Sequence, residues 1–291
     1  MAILAWFADH GRRLAFRDTA DPYAILVSEA MAQQTQAARA ADHWMRFMRR
    51  FPTVAELAAA SPADVQRAWQ GLGYNRRALA LWRAARVIEA EHGGRIPDTV
   101  EQLERLAGVG PYTARAVAAI AFGRPVGAVD VNIRRVIGRL ITGGPEGLPG
   151  GTLQAVADAS VPPGTAREWT YALMDVGATV CRPRAPRCGD CPVRPWCRYA
   201  LEAVSDAGAA KARTSRRSPP FPSTNRWLRG RILDRLRQTP DDRWVVLNEP
   251  IGTHDLERVL AAARALCAEG LIEVAPLPAG DDALRARLAT A

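Results

Sequence analysis

Lysine is almost missing from this chain of 291 residues: of 39 basic residues one, Lys211, is lysine, so 38 are arginine. An amine nucleophile is therefore excluded from every side chain but one. Also missing is any apolar run near the ~20 residues needed to cross a bilayer. The stretch from Met1 to Phe16 is interrupted by Asp9, His10, Arg12 and Arg13. It lacks the long apolar core and small-residue cleavage site of a secretory signal, so the expectation is a cytoplasmic protein with no membrane contact. Cysteine is scarce, and in such a compartment structural disulfides are not expected. Yet four of the five cysteines fall within 17 residues, from Cys181 to Cys197, a grouping that points to metal. Acidic residues number only 30, leaving a net charge of +9 and a pI near 10.0. That balance favours a polyanionic partner, nucleic acid first, although a basic protein without one has the same composition.

What is present reads as mainly α. The length suits one large or two modest domains, and a hydrophobic content of 48% allows a sizeable core. Residues 1–203 show apolar positions recurring at three and four, as in Ile133, Val136, Ile137 and Leu140. Pro and Gly punctuate the segments at Phe51-Pro52-Thr53, Gly71-Leu72-Gly73 and Gly93-Gly94. Residues 204–224, rich in Ala, Ser, Pro and Arg, read as a linker. Beyond them come a helix over Trp227–Gln238, a β-prone run Trp244–Leu247, a helix Asp255–Glu269 ended by Gly270, and a strand Leu271–Ala275. That order suits a small winged-helix-like α/β domain over 225–291.

Three motifs carry chemistry. The spacing C-x6-C-x2-C-x5-C of Cys181, Cys188, Cys191 and Cys197 can surround zinc or a [4Fe–4S] cluster. Cys267, beside Leu260, Ala263 and Leu266 on a helix, reads as a core thiol. Leu106-Ala107-Gly108-Val109-Gly110 lies between helical segments Val100–Leu106 and Tyr112–Phe122. There glycine permits a tight turn, and the second helix starts with free N–H groups that suit a phosphate. Such a turn alone is common; Val129-Asp130-Val131-Asn132 follows it, with Asp130 as a helix N-cap. Finally, Pro22–Arg39 reads as one helix with Leu26, Val27, Ala30 and Met31 on its apolar face. Glu29 and Gln33, four apart, share another face. A lone helical glutamate is usually just solvated.

In order along the chain, Ser28-Glu29-Ala30-Met31-Ala32-Gln33-Gln34-Thr35, Trp69-Gln70-Gly71-Leu72-Gly73-Tyr74, the glycine hairpin, Asp130 and the cysteine loop resemble the MutY adenine glycosylases of the endonuclease III superfamily. The resemblance spans residues 1 to about 200. It implies a helix-hairpin-helix glycosylase fold, with a six-helix domain over about 22–136 and an iron–sulfur domain from 1–21 plus 137–203. It also decides the cysteines in favour of [4Fe–4S]. The expected partner is double-stranded DNA holding a mismatch or an oxidised base, bound by a nucleoid-associated monomer.

The resemblance assigns roles. Glu29, its pKa raised by burial, would protonate adenine. Asp130 would stabilise positive charge on the sugar, with Tyr112 and Asn132 in the same catalytic set. Gln33 and Gln34 would sit against the opened duplex, Tyr74 would stack near the lesion, and Gly108, Val109 and Gly110 would take a phosphate. Related lyases place a Schiff-base lysine where Tyr112 stands, so hydrolysis without lysine-based strand cleavage is expected. The chain departs from the pattern at Leu14-Ala15-Phe16-Arg17, Asn75, Ala107 and Val131, and its last domain is about half the length of the usual 8-oxoguanine-reading one. The expectation is therefore adenine excision opposite 8-oxoguanine or guanine. The alternatives are a thymine or uracil mismatch glycosylase of the same superfamily, or a non-catalytic protein that surveys damage.

Overall fold

The computed structural model describes residues 1–144, 148–202, 219–277 and 283–290. Most of the expected linker, and Lys211 within it, lies outside the described residues. Fourteen α-helices are described: α1 (Ala2–His10), α2 (Pro22–Ala32), α3 (Ala37–Arg50), α4 (Val54–Ala59), α5 (Pro62–Ala68), α6 (Arg76–His92), α7 (Val100–Glu104), α8 (Pro111–Phe122), α9 (Val131–Thr142), α10 (Gly150–Ala159), α11 (Ala166–Asp175), α12 (Arg198–Glu202), α13 (Asn225–Arg237) and α14 (Leu256–Ala268). By residue contacts the chain forms two compact units, one of residues 1–41 and 96–212, the other of 42–95 and 213–291.

In the first unit, α2 is the central helix. Asp21 caps it by accepting from the Tyr23 amide, Pro22 occupies its first turn, and Tyr23 through Glu29 are all buried. A helix that is apolar all round belongs inside. It packs against α8, whose Ala114, Ala116, Ala118 and Ala119 are fully buried small residues that let the two axes approach. A second apolar cluster joins Ile3 of α1, Ile133, Val136 and Ile137 of α9, Leu153 of α10 and Leu173 of α11. α11 runs into a π-helical turn, Val176–Val180, where the Cys181 amide reaches back five residues to the Val176 carbonyl at 2.7 Å.

The helix expected over Pro22–Arg39 is broken. α2 stops at Ala32 and α3 starts at Ala37, because Gln34 takes the left-handed conformation with φ +55°. The Thr35 amide and hydroxyl bond back to the carbonyls of Ala32 and Gln33 and close the turn. Glu29 and Gln33 therefore do not share a helical face. No Gly or Pro announced this break.

In the second unit, α13, α14 and a three-stranded antiparallel sheet enclose one apolar cluster, which also takes in Ala63 of α5 and Leu79 of α6. The strands are β1 (Val245–Leu247), β2 (Ile272–Pro276) and β3 (Leu284–Leu288), in the order β1-β3-β2. Val245 pairs with Ala286, and Ile272 with Leu288. The expected helix–strand–helix–strand order stands, and β3, which alternates Arg285 and Arg287 with buried Ala286 and Leu288, completes a winged-helix-like sheet. Cys267 packs against this core, as expected of a core thiol.

Candidate active site

Glu29 sits on the buried helix α2 with 6% of its surface exposed. Burial pushes its pKa from 4.5 up to about 7, against the opposing Tyr112 hydrogen bond and Arg17 charge; the Asp130 charge adds to the rise. The Tyr112 hydroxyl donates to Glu29 Oε2 at 3.2 Å. Burial first, then the charges of Glu29 and Asp130, push the phenol well above its ordinary value, so it keeps the proton it donates. Tyr171 is likewise pushed up to about 12, first by burial and then by Glu29.

Behind this carboxyl stands an ion cluster that sequence reasoning missed. Arg17 forks onto Asp175 at 2.8 and 2.9 Å, and Arg12 adds its amide at 2.8 Å and its Nε at 2.6 Å. Asp175 is fully buried. Burial would raise its pKa, but the Arg17 and Arg12 contacts outweigh that and hold it below the usual range. The Arg17 guanidinium also lies 4.4 Å from the Tyr171 ring centre. The only signal in the chain was a charge at the end of the otherwise apolar run Ala172-Leu173-Met174.

Asp130 caps α9, as expected. Its Oδ1 accepts from the Asn132 and Ile133 amides at 2.9 and 2.7 Å, and its Oδ2 from Asn132 Nδ2 at 2.8 Å. Asn132 is held in turn: Arg135 donates to its Oδ1 at 2.8 Å, to the Gly177 carbonyl at 2.7 Å and to the Cys181 carbonyl at 2.7 Å. A Cβ at Gly177 would come 2.7 Å from the Asn132 Cβ, so only glycine fits there. Val131, beside Asp130, is 75% exposed.

The hairpin closes through the Val109 amide to the Leu106 carbonyl at 3.1 Å, with Gly108 at φ +78°. Gly110 precedes α8 and offers no side-chain cap, so the first amides of that helix stay available. The Val109 side chain is buried, which leaves its backbone as the part able to meet a ligand. Gln33 donates to Thr113 of α8 at 3.1 Å, and Gln34 occupies the left-handed turn. Tyr74 belongs to the second unit, with 42% of its surface exposed and its φ at +46°.

Cys181, Cys188, Cys191 and Cys197 line one small cavity of about 20 Å³, and none of them is in a disulfide. Arg139 of α9, nearly buried, donates to Cys181 Sγ at 3.4 Å and to the Arg182 and Pro183 carbonyls at 2.8 and 3.0 Å. Among the described residues no three His, Cys, Asp or Glu side chains are set to hold a single metal ion. Four free thiols lining one small cavity are the donor set that a polynuclear cluster takes.

Residues 27–146 match the HhH-GPD superfamily base excision DNA repair proteins. An adenine DNA glycosylase of Mycobacterium tuberculosis is 45% identical over 241 residues, covering 81% of this chain and 77% of that one. Its counterpart in Mycolicibacterium smegmatis is 39% identical over 275 residues, covering 93% and 91%. The solved structure of a thermostable thymine-DNA glycosylase matches with a TM-score of 0.65 at 32% identity, over 69% of this chain and 94% of that one. With 45% and 39% identity to relatives that the chain covers to 77% and 91% of their length, the chain belongs to the adenine DNA glycosylase family.

Proposed function

We propose that this protein hydrolyses the N-glycosidic bond of adenine mispaired with 8-oxoguanine or guanine in duplex DNA. The observation that carries this reading is Glu29: a buried carboxyl poised near pH 7 suits a proton donor to a purine leaving group. The target nucleotide first leaves the stack, at a cost of a few kcal/mol. Glu29 then passes its proton to the base, and the C1′–N bond breaks with its electron pair leaving on the neutral purine. The sugar becomes an oxocarbenium-like cation, which the Asp130 carboxylate stabilises. Water adds at C1′, and its proton returns to Glu29. Tyr112 orients the acid; Asn132 fixes Asp130.

Beside this chemistry Gln33 and Gln34 meet the opened duplex and the backbone of Gly108–Gly110 takes a phosphate, while Tyr74, on the second unit, offers an aromatic face to DNA. Cys181, Cys188, Cys191 and Cys197 would hold a [4Fe–4S] cluster, which supplies a rigid crosslink for the basic loop between them. With Tyr112 at the position where related lyases carry lysine, the product keeps its abasic strand intact.

The test is single-turnover base release from duplexes holding A:8-oxoG, A:G, T:G, U:G and 8-oxoG:C, with nicking scored before and after alkali. Adenine release that needs alkali to nick the strand is the expected result. Thymine or uracil release instead would transfer the chain's activity to the superfamily's mismatch branch, and spontaneous nicking would overturn the hydrolytic assignment.

A further inference from the structure

Tyr74 is held by a helix 152 residues away in sequence. Arg226, in the first turn of α13, donates to the Tyr74 hydroxyl at 3.0 Å, and its guanidinium carbon lies 4.2 Å from the ring centre. The same guanidinium reaches the Gly73 backbone, where an added Cβ would sit 3.4 Å from its Nη2. At the other end of α13, Arg237 donates to Asn75 Oδ1 at 2.7 Å and to the Gln66 carbonyl at 3.1 Å. One helix therefore grips the residues on both sides of the turn.

The turn needs such a grip. Tyr74 is one of three non-glycine residues at positive φ among the described residues, a conformation disfavoured for an L side chain. The residue is 42% exposed, and the Arg77 guanidinium also lies near its ring, at 5.6 Å from the centre against 4.2 Å for Arg226. Asn75, where the MutY pattern has a second tyrosine, is the residue whose amide oxygen receives Arg237. Arg226 is itself exposed, and its planar guanidinium matches the face of a phenol in a way an ammonium does not.

We propose that α13 is a positioning element for Tyr74, through Arg226 on the ring and Arg237 on Asn75, so that the C-terminal domain tunes discrimination between bases opposite the target adenine by way of this tyrosine. The proposal rests on the reading that Tyr74 contacts DNA.

The experiment uses the full chain and compares single-turnover adenine release from A:8-oxoG and A:G duplexes. The variants are Arg226→Ala, Arg226→Lys, Tyr74→Ala and the double Arg226→Ala/Tyr74→Ala, with thermal melting followed for each. Arg226→Ala is expected to change the ratio of the two rates by about three- to tenfold. Arg226→Lys should fail to restore it, and the double variant should match Tyr74→Ala alone. Equal slowing on both duplexes with the ratio intact would make Arg226 a merely structural contact and overturn the proposal. Effects that multiply in the double variant would mean Arg226 acts on DNA by itself, which also overturns it. A ratio altered by Tyr74→Ala but untouched by Arg226→Ala would defeat the positioning role alone. No effect of Tyr74→Ala would remove the DNA-contact reading, and the proposal with it.

Discussion

The two carboxylates assigned to catalysis are surrounded in opposite ways. Glu29 lies inside a helix that is buried nearly all round, and its carboxyl accepts from the Tyr112 hydroxyl. Asp130 stands at a helix start and receives three N–H groups. One arrangement withholds solvation until the group takes a proton; the other surrounds an acceptor with donors. The contrast teaches that the two roles proposed for these carboxyls rest on environment, since the side chains differ by a single methylene.

Removing the titrating group breaks the contrast most strongly. Glu29→Gln keeps the shape but has no proton to give, and base release should fall by 10² to 10⁴-fold in single-turnover assays. In the native protein the rate should hold below pH 7 and fall about tenfold per unit above it, as the acid of pKa about 7 ionises. Next comes the ion cluster behind the pocket: Asp175→Ala strands the Arg17 guanidinium, whose side chain is 8% exposed, and should cost about 3–5 kcal/mol in denaturant unfolding.

Stability offers an opposite sign. Glu29 binds its proton more tightly folded, about 7 against 4.5, so between those values the native state holds more protons than the unfolded one. Its contribution is full below pH 4.5 and is lost as pH rises through 7, on the order of 3 kcal/mol. Glu29→Gln should therefore be the more stable protein at pH 8, and an unchanged melting midpoint there would contradict the burial-driven rise of the Glu29 pKa. Asn132→Ala removes one donor to Asp130 and should cost about 1 kcal/mol of stability along with part of the rate. The smallest change sharpens the comparison from the other side. Tyr112→Phe removes the bond that opposes the Glu29 shift, so the falling limb of the pH profile should move to higher pH.

Much of this was legible because it is local. The Asp130 cap, the Gly108 turn and the cysteine spacing each lie within a short stretch whose residue types allow few conformations. The winged-helix-like elements were legible from their period, except β3, whose Leu-Arg-Ala-Arg-Leu alternation was passed over. What escaped depends on distance or on unannounced backbone. Arg17 and Asp175 meet across 158 residues, and no local pattern marks either as half of a pair. The break at Gln33–Gln36 has no glycine or proline, and Gln34 is left-handed because its neighbours close the turn around it. The Gln33 side chain, expected on the face of Glu29, bonds instead to Thr113.

The π-helical turn between Asp175 and Cys181 carries one more residue than an α-helical ladder would hold. An α-helix turns about 100° per residue. Deleting one of those five positions would draw the turn back to an α-helical ladder, and what would be lost is the close seat of Gly177 against Asn132, where an added Cβ would come 2.7 Å from the Asn132 Cβ. The extra residue thus sets a glycine behind the asparagine that bonds Asp130, and Gly177→Ala should disturb that support far more than a substitution at the exposed Ala178.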